Sequence, residues 1–397
     1  MTVTLESLHG RIGDLDSHES IPVPRYPEVF GEIGRRFFKE NEELWRLMDV
    51  VTMQNGGVDG DSLTVDRPDD KEITQENVWT LKGVSAPGAV DMDRRPAVMD
   101  AMGIHRQLIF PMMGIVAWLQ AEGGNSAWGV SATEEQMALG KLAMKAYNEW
   151  AGRLTKKFPD RMRVVGLLPT GDADMTPELM VKKAEELIDN GCRAIMIASG
   201  KPPAGMSPGD RRLDPFYETI AKENVTLTFH PPSGAGYRSS SVWEHAVAKM
   251  EFAMATALHI AEENFVAAML LSGLFDRHPT LRVAVVETGA SWVGPLAERL
   301  DCAVCETAEL RSALSLKPSE FMSRNVRVSV AGNEPVEMWM ERHPDVQSVF
   351  CYSSDYPHPE GKPWSLQNFY KRLAPLGDSV VEKFFVTNSQ LVLPKAA

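Results

Sequence analysis

The chain reads as an α/β protein built on a distorted (β/α)8 barrel, a TIM barrel. Three observations predict it. Eight short apolar runs rich in β-branched residues recur along the 397 residues, most of them are separated by helical stretches, and no glycine-rich phosphate turn follows the first. Unbroken apolar runs suit strands buried on both faces, as in a parallel sheet. Eight of them separated by helices point to a closed cylinder. The runner-up is a doubly wound open sheet, which carries a Gly-rich turn after its first strand. The stretch "DLDSHES" at 14–20 has none.

In order, "RIGDLDSH" (11–18) is expected as strand one, and "HRQLIFPMM" (105–113) as strand two after the helix-like "RPAVMDAMGI". "MRVVGLLP" (162–169) follows a long amphipathic stretch through "KLAMKAYNEWAGRLTKKF". "CRAIMIAS" (192–199) follows "TPELMVKKAEELIDNG", where Thr176 can cap the start and Gly191 the end of a helix. "VTLTFHP" (225–231), "LRVAVVETG" (281–289), "VRVSVAG" (326–332) and "SVFCYSSD" (348–355) complete the set. Residues 20–93 break the rhythm, with turn signals in "QNGGVDGDS", "VDRPDD" and "SAPGAVD". A stretch this long is expected to be a lid or small insertion within one domain spanning 1–397, or an oligomer contact.

Composition narrows the function. Hydrophobic content of 44% and charged content of 24% are those of a globular chain with ample core. A formal net charge of −13 without a basic cluster argues against nucleic acid or an anionic membrane surface as partner. The first residues lack a basic and then apolar leader, and no apolar run approaches the roughly 20 residues that span a bilayer. Four cysteines (Cys192, Cys302, Cys305 and Cys351) form no disulfide framework. "CAVC" at 302–305 reads as thiols on a helix rather than a redox or zinc motif, and a cytoplasmic location fits.

Polar residues gather where the apolar runs end. Strand one ends in Asp16, His18 and Glu19, strand five in His230, strand six in Glu287, and strand eight in Asp355 followed by His358. In a barrel these ends converge on one mouth. Taken singly, His230 before two prolines also fits a turn histidine, Asp355 an Asx turn, and Asp16 and Glu19 the solvated end of a strand. Taken together, clustered carboxylates and imidazoles need a shared counter-charge. A mixed nitrogen and oxygen set suits Zn²⁺, Mn²⁺ or Fe²⁺ better than Ca²⁺. The other histidines (His9, His105, His245, His259, His278 and His343) read as surface or structural residues.

With these motifs in hand, the chain resembles a family. "DLDSHES", "TFHPPSGAG", "LSGLFDRHPTLRVAVVETGASWVGPLAERLD" and "YSSDYPHPEG", in this order and spacing, are similar to the amidohydrolase-2 branch of the metal-dependent amidohydrolase superfamily. The resemblance spans about residues 11–392 and implies one divalent metal, zinc first, held by Asp16, His18, His230 and Asp355. Asp16 stands where the first histidine of the family's pair usually is. Glu287 stands where many decarboxylases of the branch have a histidine.

The resemblance implies a metal-dependent hydrolase or a non-oxidative decarboxylase (carboxy-lyase) acting on a small carboxylate-bearing substrate. Asp355, Glu287 and His358 would be its catalytic groups. Arg94 and Trp292 are candidate substrate contacts, with Arg95, Lys82 and Trp79 beside them, although solvated or core roles also fit these residues. Two other classes stay open. Glu19, Glu287 and His358 form a candidate second-metal set, which suits a dinuclear iron-type hydroxylase. A metal-bearing partner subunit of a hetero-oligomer is the third, and a homo-oligomer is otherwise expected.

Overall fold

The computed structural model describes residues 2–54, 62–125, 130–231 and 258–395. Among them, eight parallel strands coincide with the eight apolar runs. We label them β1 (Ile12–Asp14), β2 (Ile104–Ile109), β3 (Met162–Val164, resuming as Gly166–Leu168), β4 (Ala194–Ile197), β5 (Thr226–Phe229), β6 (Arg282–Val285), β7 (Val326–Ser329) and β8 (Phe350–Cys351). Every strand is shorter than its apolar run, because the polar tails leave the ladder. Helices Arg95–Met102, Glu134–Lys157, Pro177–Asn190, Asp214–Lys222 and Val293–Glu306 run between strands. Thr176 and Gly191 cap the third of these as expected, the Thr176 side chain accepting from Leu179 N–H and Gly191 adopting a left-handed φ of 112°.

Pairing is parallel and follows sequence order. β1, β2 and the first half of β3 form one sheet, and the second half of β3 through β8 forms another. Val165 joins them, donating its N–H to Ile109 O at 2.9 Å. At the other edges, Leu15 N–H donates to Tyr352 O at 3.1 Å, Asp355 N–H to Asp16 O at 2.9 Å, and His18 N–H to Tyr356 O at 2.7 Å. These bonds set the segment after β1 against the segment after β8, as the barrel prediction requires. Strand residues are buried almost throughout, which explains their unalternated apolar sequence.

The 20–93 stretch holds more order than its turn signals suggest. Helices Tyr26–Glu40, bent at Gly31 (φ 69°), and Glu42–Gln54 occupy much of it. Tyr26, Phe37 and Trp45 are fully buried, with Trp45 5.6 Å from the Tyr26 ring and 6.0 Å from that of Phe37. Phe30 meets Trp150 of the 134–157 helix at 5.8 Å. Apolar contact of this kind fixes the Tyr26–Glu40 helix to the 134–157 helix.

Candidate metal centre

Four of the residues expected at the mouth do meet. Asp16, His18, His230 and Glu287 offer ligand atoms within 4.8 Å of one another, and Asp355 and His358 form an adjoining group with His18. His18 Nε2 lies 3.3 Å from Asp16 Oδ1, 3.5 Å from Asp355 Oδ1 and 3.8 Å from Glu287 Oε2. His230 Nε2 lies 3.8 Å from Asp16 Oδ1 and 2.6 Å from Glu287 Oε2. Ligands about 2.1 Å from one ion are about 3.0 Å apart when adjacent and about 4.2 Å apart when opposite. Most of these separations fall in that window. The His230–Glu287 separation is shorter and has hydrogen-bond length.

Local structure explains the placement. Asp16 and His18 sit beyond β1 rather than on it; His18 bridges Phe110 just past β2, and Ser17 bridges Tyr356 past β8. Glu287 and Asp355 each hold a left-handed backbone, with φ of 59° and 53°. Non-glycine residues at such angles cost on the order of 1–3 kcal/mol and collect at functional sites. Ser329 Oγ, at the end of β7, accepts Glu287 N–H at 2.9 Å and holds that turn.

The chemistry of the donor set fits a cation. Asp16 Oδ1 and His18 Nε2 are buried without a hydrogen-bond partner among the described residues. Such orphaned polar atoms are expensive unless an ion or water satisfies them. His230 Nδ1 faces Pro231 O at 2.6 Å, and a carbonyl only accepts, so Nδ1 carries the proton. Nε2 then needs a second proton or a cation to face the Glu287 carboxylate. Burial, followed by the charges of Asp355, Glu287 and Asp14, holds the Asp16 carboxyl well above the usual range. Burial raises Asp355 too. Burial pushes Glu287 up, but the charge and hydrogen bond of His230 outweigh it and bring it down. Burial, then the nearby His358, His230 and Arg95, lower His18, which favours the neutral ring that ligates metals.

His358 stands apart from that set. Its ring stacks on His18 with centroids 3.6 Å apart and planes 16° from parallel. Lone pairs in parallel planes do not converge on one ion, so the two rings are not co-ligands. Its Nδ1 lies 3.2 Å from Asp355 Oδ1, and its buried Nε2 has no hydrogen-bond partner among the described residues. Burial alone would lower it, but Asp355 outweighs burial and the ring is pushed up to about 9.

Several expectations are corrected. Glu19 is buried but turned away from the group: Oε1 accepts Met112 N–H at 2.7 Å and Met113 N–H at 3.3 Å, and Oε2 accepts Ile21 N–H at 3.0 Å. Arg94 binds Asp69 and the Lys71 carbonyl, so its guanidinium is committed there. Trp292 is 4% exposed and donates its indole N–H to Gly289 O at 2.9 Å. It braces the turn after Glu287 rather than presenting an open wall. Arg95, read as a solvated cation, is fully buried. Trp79 is buried, its ring 6.1 Å from that of Trp364.

The remaining histidines within the described residues fall where expected. His278 pairs with Asp214, His343 with Glu298 and His259 with Glu263, while His245 lies outside the described residues. All four cysteines are free, with Cys302 and Cys305 exposed on their helix.

Two residues escaped sequence reasoning. The buried Asp14 accepts from Ser354 N–H and Oγ, Gln107 Nε2 and Asp16 N–H, tying the ends of β1, β2 and β8. Burial outweighs these bonds and pushes it up to about 6. Its spacing two residues before Asp16 was the available signal. Phe110 stacks on His230 with centroids 4.3 Å apart, and nothing in the sequence marks that contact.

Comparison with known proteins bears on the fold and on the family resemblance. Residues 130–317 match the model of the amidohydrolase family. No curated protein matches the chain in sequence. Among solved structures, an amidohydrolase from Mycobacterium avium subsp. paratuberculosis K-10 is 19% identical, with a TM-score of 0.61 over 96% of this chain and 99% of that one. The 5-carboxyvanillate decarboxylase of Sphingomonas paucimobilis is 18% identical, with a TM-score of 0.57 over 98% of this chain and 100% of that one. The manganese-bound 5-carboxyvanillate decarboxylase of Novosphingobium aromaticivorans is 16% identical, with a TM-score of 0.56 over 99% of both chains. The resemblance read from the motifs therefore holds: residues 130–317 carry amidohydrolase-family sequence, and nearly the whole chain shares the fold of solved amidohydrolases.

Proposed function

We propose that this chain is a metal-dependent enzyme of the amidohydrolase type, a hydrolase or non-oxidative decarboxylase acting on a small carboxylate-bearing organic molecule. The observation that carries this reading is the meeting of Asp16, His18, His230 and Asp355 at one rim, the first three offering ligand atoms within 4.8 Å of one another and Asp355 standing 3.5 Å from His18 Nε2. These four would hold one divalent ion, with Glu287 beside His230. A bound divalent ion polarises a substrate oxygen and makes water a stronger acid. Two carboxylates among the four donors, with that of Glu287 beside them, favour manganese or iron as much as zinc. The manganese in the Novosphingobium decarboxylase makes that ion the first to test.

The chain's own groups divide the remaining work. The Asp355–His358 pair holds a proton, shared between Oδ1 and Nδ1 at 3.2 Å. In hydrolysis Asp355 takes the proton of the attacking water, and His358 returns one to the leaving group. In decarboxylation the protonated His358 supplies the proton that replaces carbon dioxide on the substrate carbon. Glu287 keeps His230 oriented and, held ionised by that ring, is a second carboxylate at the rim. The buried histidine and Phe110 rings exclude water from one side of the rim.

The dinuclear alternative finds little support, because Glu19 is occupied by backbone amides and His358 lies parallel to His18. We place the enzyme in the cytoplasm as a homo-oligomer, with 20–93 as an insertion within a single domain of residues 1–397. No described helix is long and apolar enough to cross a membrane.

The test is a paired assay on manganese-loaded and zinc-loaded protein. Release of carbon dioxide from hydroxybenzoate-type acids, such as 5-carboxyvanillate and 2,6-dihydroxybenzoate, is measured beside hydrolysis of carboxylate-bearing esters and amides. Metal-dependent turnover in either arm, lost in Asp355→Asn, is the expected result. Oxygen consumption in place of both, with two irons per chain, would overturn the reading.

A further inference from the structure

We infer that Arg95 is a positioning residue of the cation site: its guanidinium locks the backbone of His18 to the loop after β8. The side chain is fully buried, yet no carboxylate of the described residues lies within ion-pair distance of it. Its Nη2 donates to His18 O at 2.6 Å and its Nε to Gly88 O at 2.7 Å. The guanidinium carbon sits 5.0 Å over the Tyr356 ring. A buried guanidinium held by carbonyls and a ring face is a costly arrangement, and its cost falls on the residue beside a metal ligand.

The contacts enclose His18 on both sides of its backbone. The His18 N–H donates to Tyr356 O at 2.7 Å, while its carbonyl accepts from Arg95. The Tyr356 hydroxyl in turn donates to Pro87 O, next to the Gly88 carbonyl that Arg95 also binds. Nearby, Gly83 N–H donates to Pro357 O at 2.8 Å and Ser20 N–H to Ala89 O at 2.8 Å. Three chain segments therefore cross at one guanidinium: the strand-one end with His18, residues 83–90, and the strand-eight loop one residue past Asp355.

The sequence begins a helix at this point, with Pro96 in its first turn, so the Arg95 backbone is itself fixed. Only a planar fork reaches two carbonyls and stacks on a ring at once; the point charge of a lysine does not. Groups that orient a ligand from outside typically change metal affinity by about 10–100-fold.

The inference rests on the metal reading above, and its test separates the two. Cobalt(II) is titrated into the full chain against a chelator, and the visible spectrum of the bound ion is recorded for the wild type, Arg95→Lys, Arg95→Gln and the neighbouring Arg94→Gln. The wild type and Arg94→Gln are expected to take one ion with the same spectrum. Arg95→Lys should bind about 10–100-fold more weakly with shifted bands, and millimolar guanidinium should restore part of the affinity to Arg95→Gln. Should Arg95→Gln fail to fold, Arg95→Lys, which keeps the charge and the stem, carries the test. Unchanged cobalt affinity and spectrum in a folded Arg95→Lys overturns the inference alone, as does an affinity loss matched by Arg94→Gln. A wild type that takes no cobalt overturns the metal reading and this inference with it.

Discussion

The two ends of the barrel bury charge in opposite ways. At the floor, Arg163 is 6% exposed and donates through Nη1 to Arg193 O, Asn224 O and Thr226 Oγ1 at 2.9, 3.0 and 3.3 Å. Arg327 donates to the carbonyls of Asn388, Ser323 and Val326, and Thr226 Oγ1 donates to Val392 O. The C-terminal segment thus lines the floor, its Asn388 carbonyl answering Arg327 and its Val392 carbonyl the Thr226 hydroxyl. At the rim the sign is reversed: acids and imidazoles converge, two of the acids hold left-handed backbone, and several facing atoms have no described partner. A satisfied buried charge holds a fold together, whereas an unsatisfied set aimed at one point calls for a ligand.

That contrast can be broken at either end. The largest effect is expected for His230→Ala, which removes a direct donor at the rim. Its metal affinity should fall more than about 100-fold with the melting temperature of the metal-free protein little changed, checked by chelator competition and calorimetry. Retained metal content would merge rim and floor into one structural class. Glu287→Gln should come next, losing about 100-fold in kcat while keeping one ion per chain, because an ionised base at the rim is lost and His230 keeps a partner. Metal analysis beside steady-state kinetics separates those two outcomes.

At the floor, Arg163→Ala should cost on the order of 3 kcal/mol of stability by leaving several acceptors unanswered. The folded fraction should bind the ion as the wild type does, and denaturant melts with and without manganese check this. Glu19→Gln sharpens the boundary of the rim. It should cost about 1–2 kcal/mol through weakened bonds to the Met112, Met113 and Ile21 amides, with metal stoichiometry unchanged.

The two ends also differ in their response to pH. Burial raises Asp16 and Asp355, so the folded protein retains protons that an ion must displace. Ion affinity should therefore rise with pH through their titration and weaken on acidification, by about ten-fold per pH unit for each proton displaced. Isothermal titrations at several pH values give the slope.

The barrel was legible because its strands are buried on both faces, and such burial leaves an uninterrupted apolar run in the sequence. The rim was legible because an acid or imidazole ending an apolar run is out of place there unless it has work to do. What stayed hidden depends on partners distant in sequence. Glu19 answers amides 93 and 94 residues away, and a carboxylate held by N–H groups has the same letter as one that binds metal. Arg94 and Arg95 are adjacent and identical in sequence, yet one pairs with Asp69 while the other is sealed under Tyr356. The helices over 26–54 are masked in the sequence although Tyr26, Phe30, Phe37 and Trp45 fall near helical spacing, because glycine- and proline-rich stretches flank them and Gly31 interrupts the first.

Anomalous diffraction from crystals grown with manganese tests the central claim most directly. The account predicts a single peak about 2.0–2.3 Å from Asp16 Oδ1, His18 Nε2, His230 Nε2 and an Asp355 oxygen, with none beside Glu19. An empty rim under saturating manganese, or a pair of peaks that includes Glu19, would contradict it.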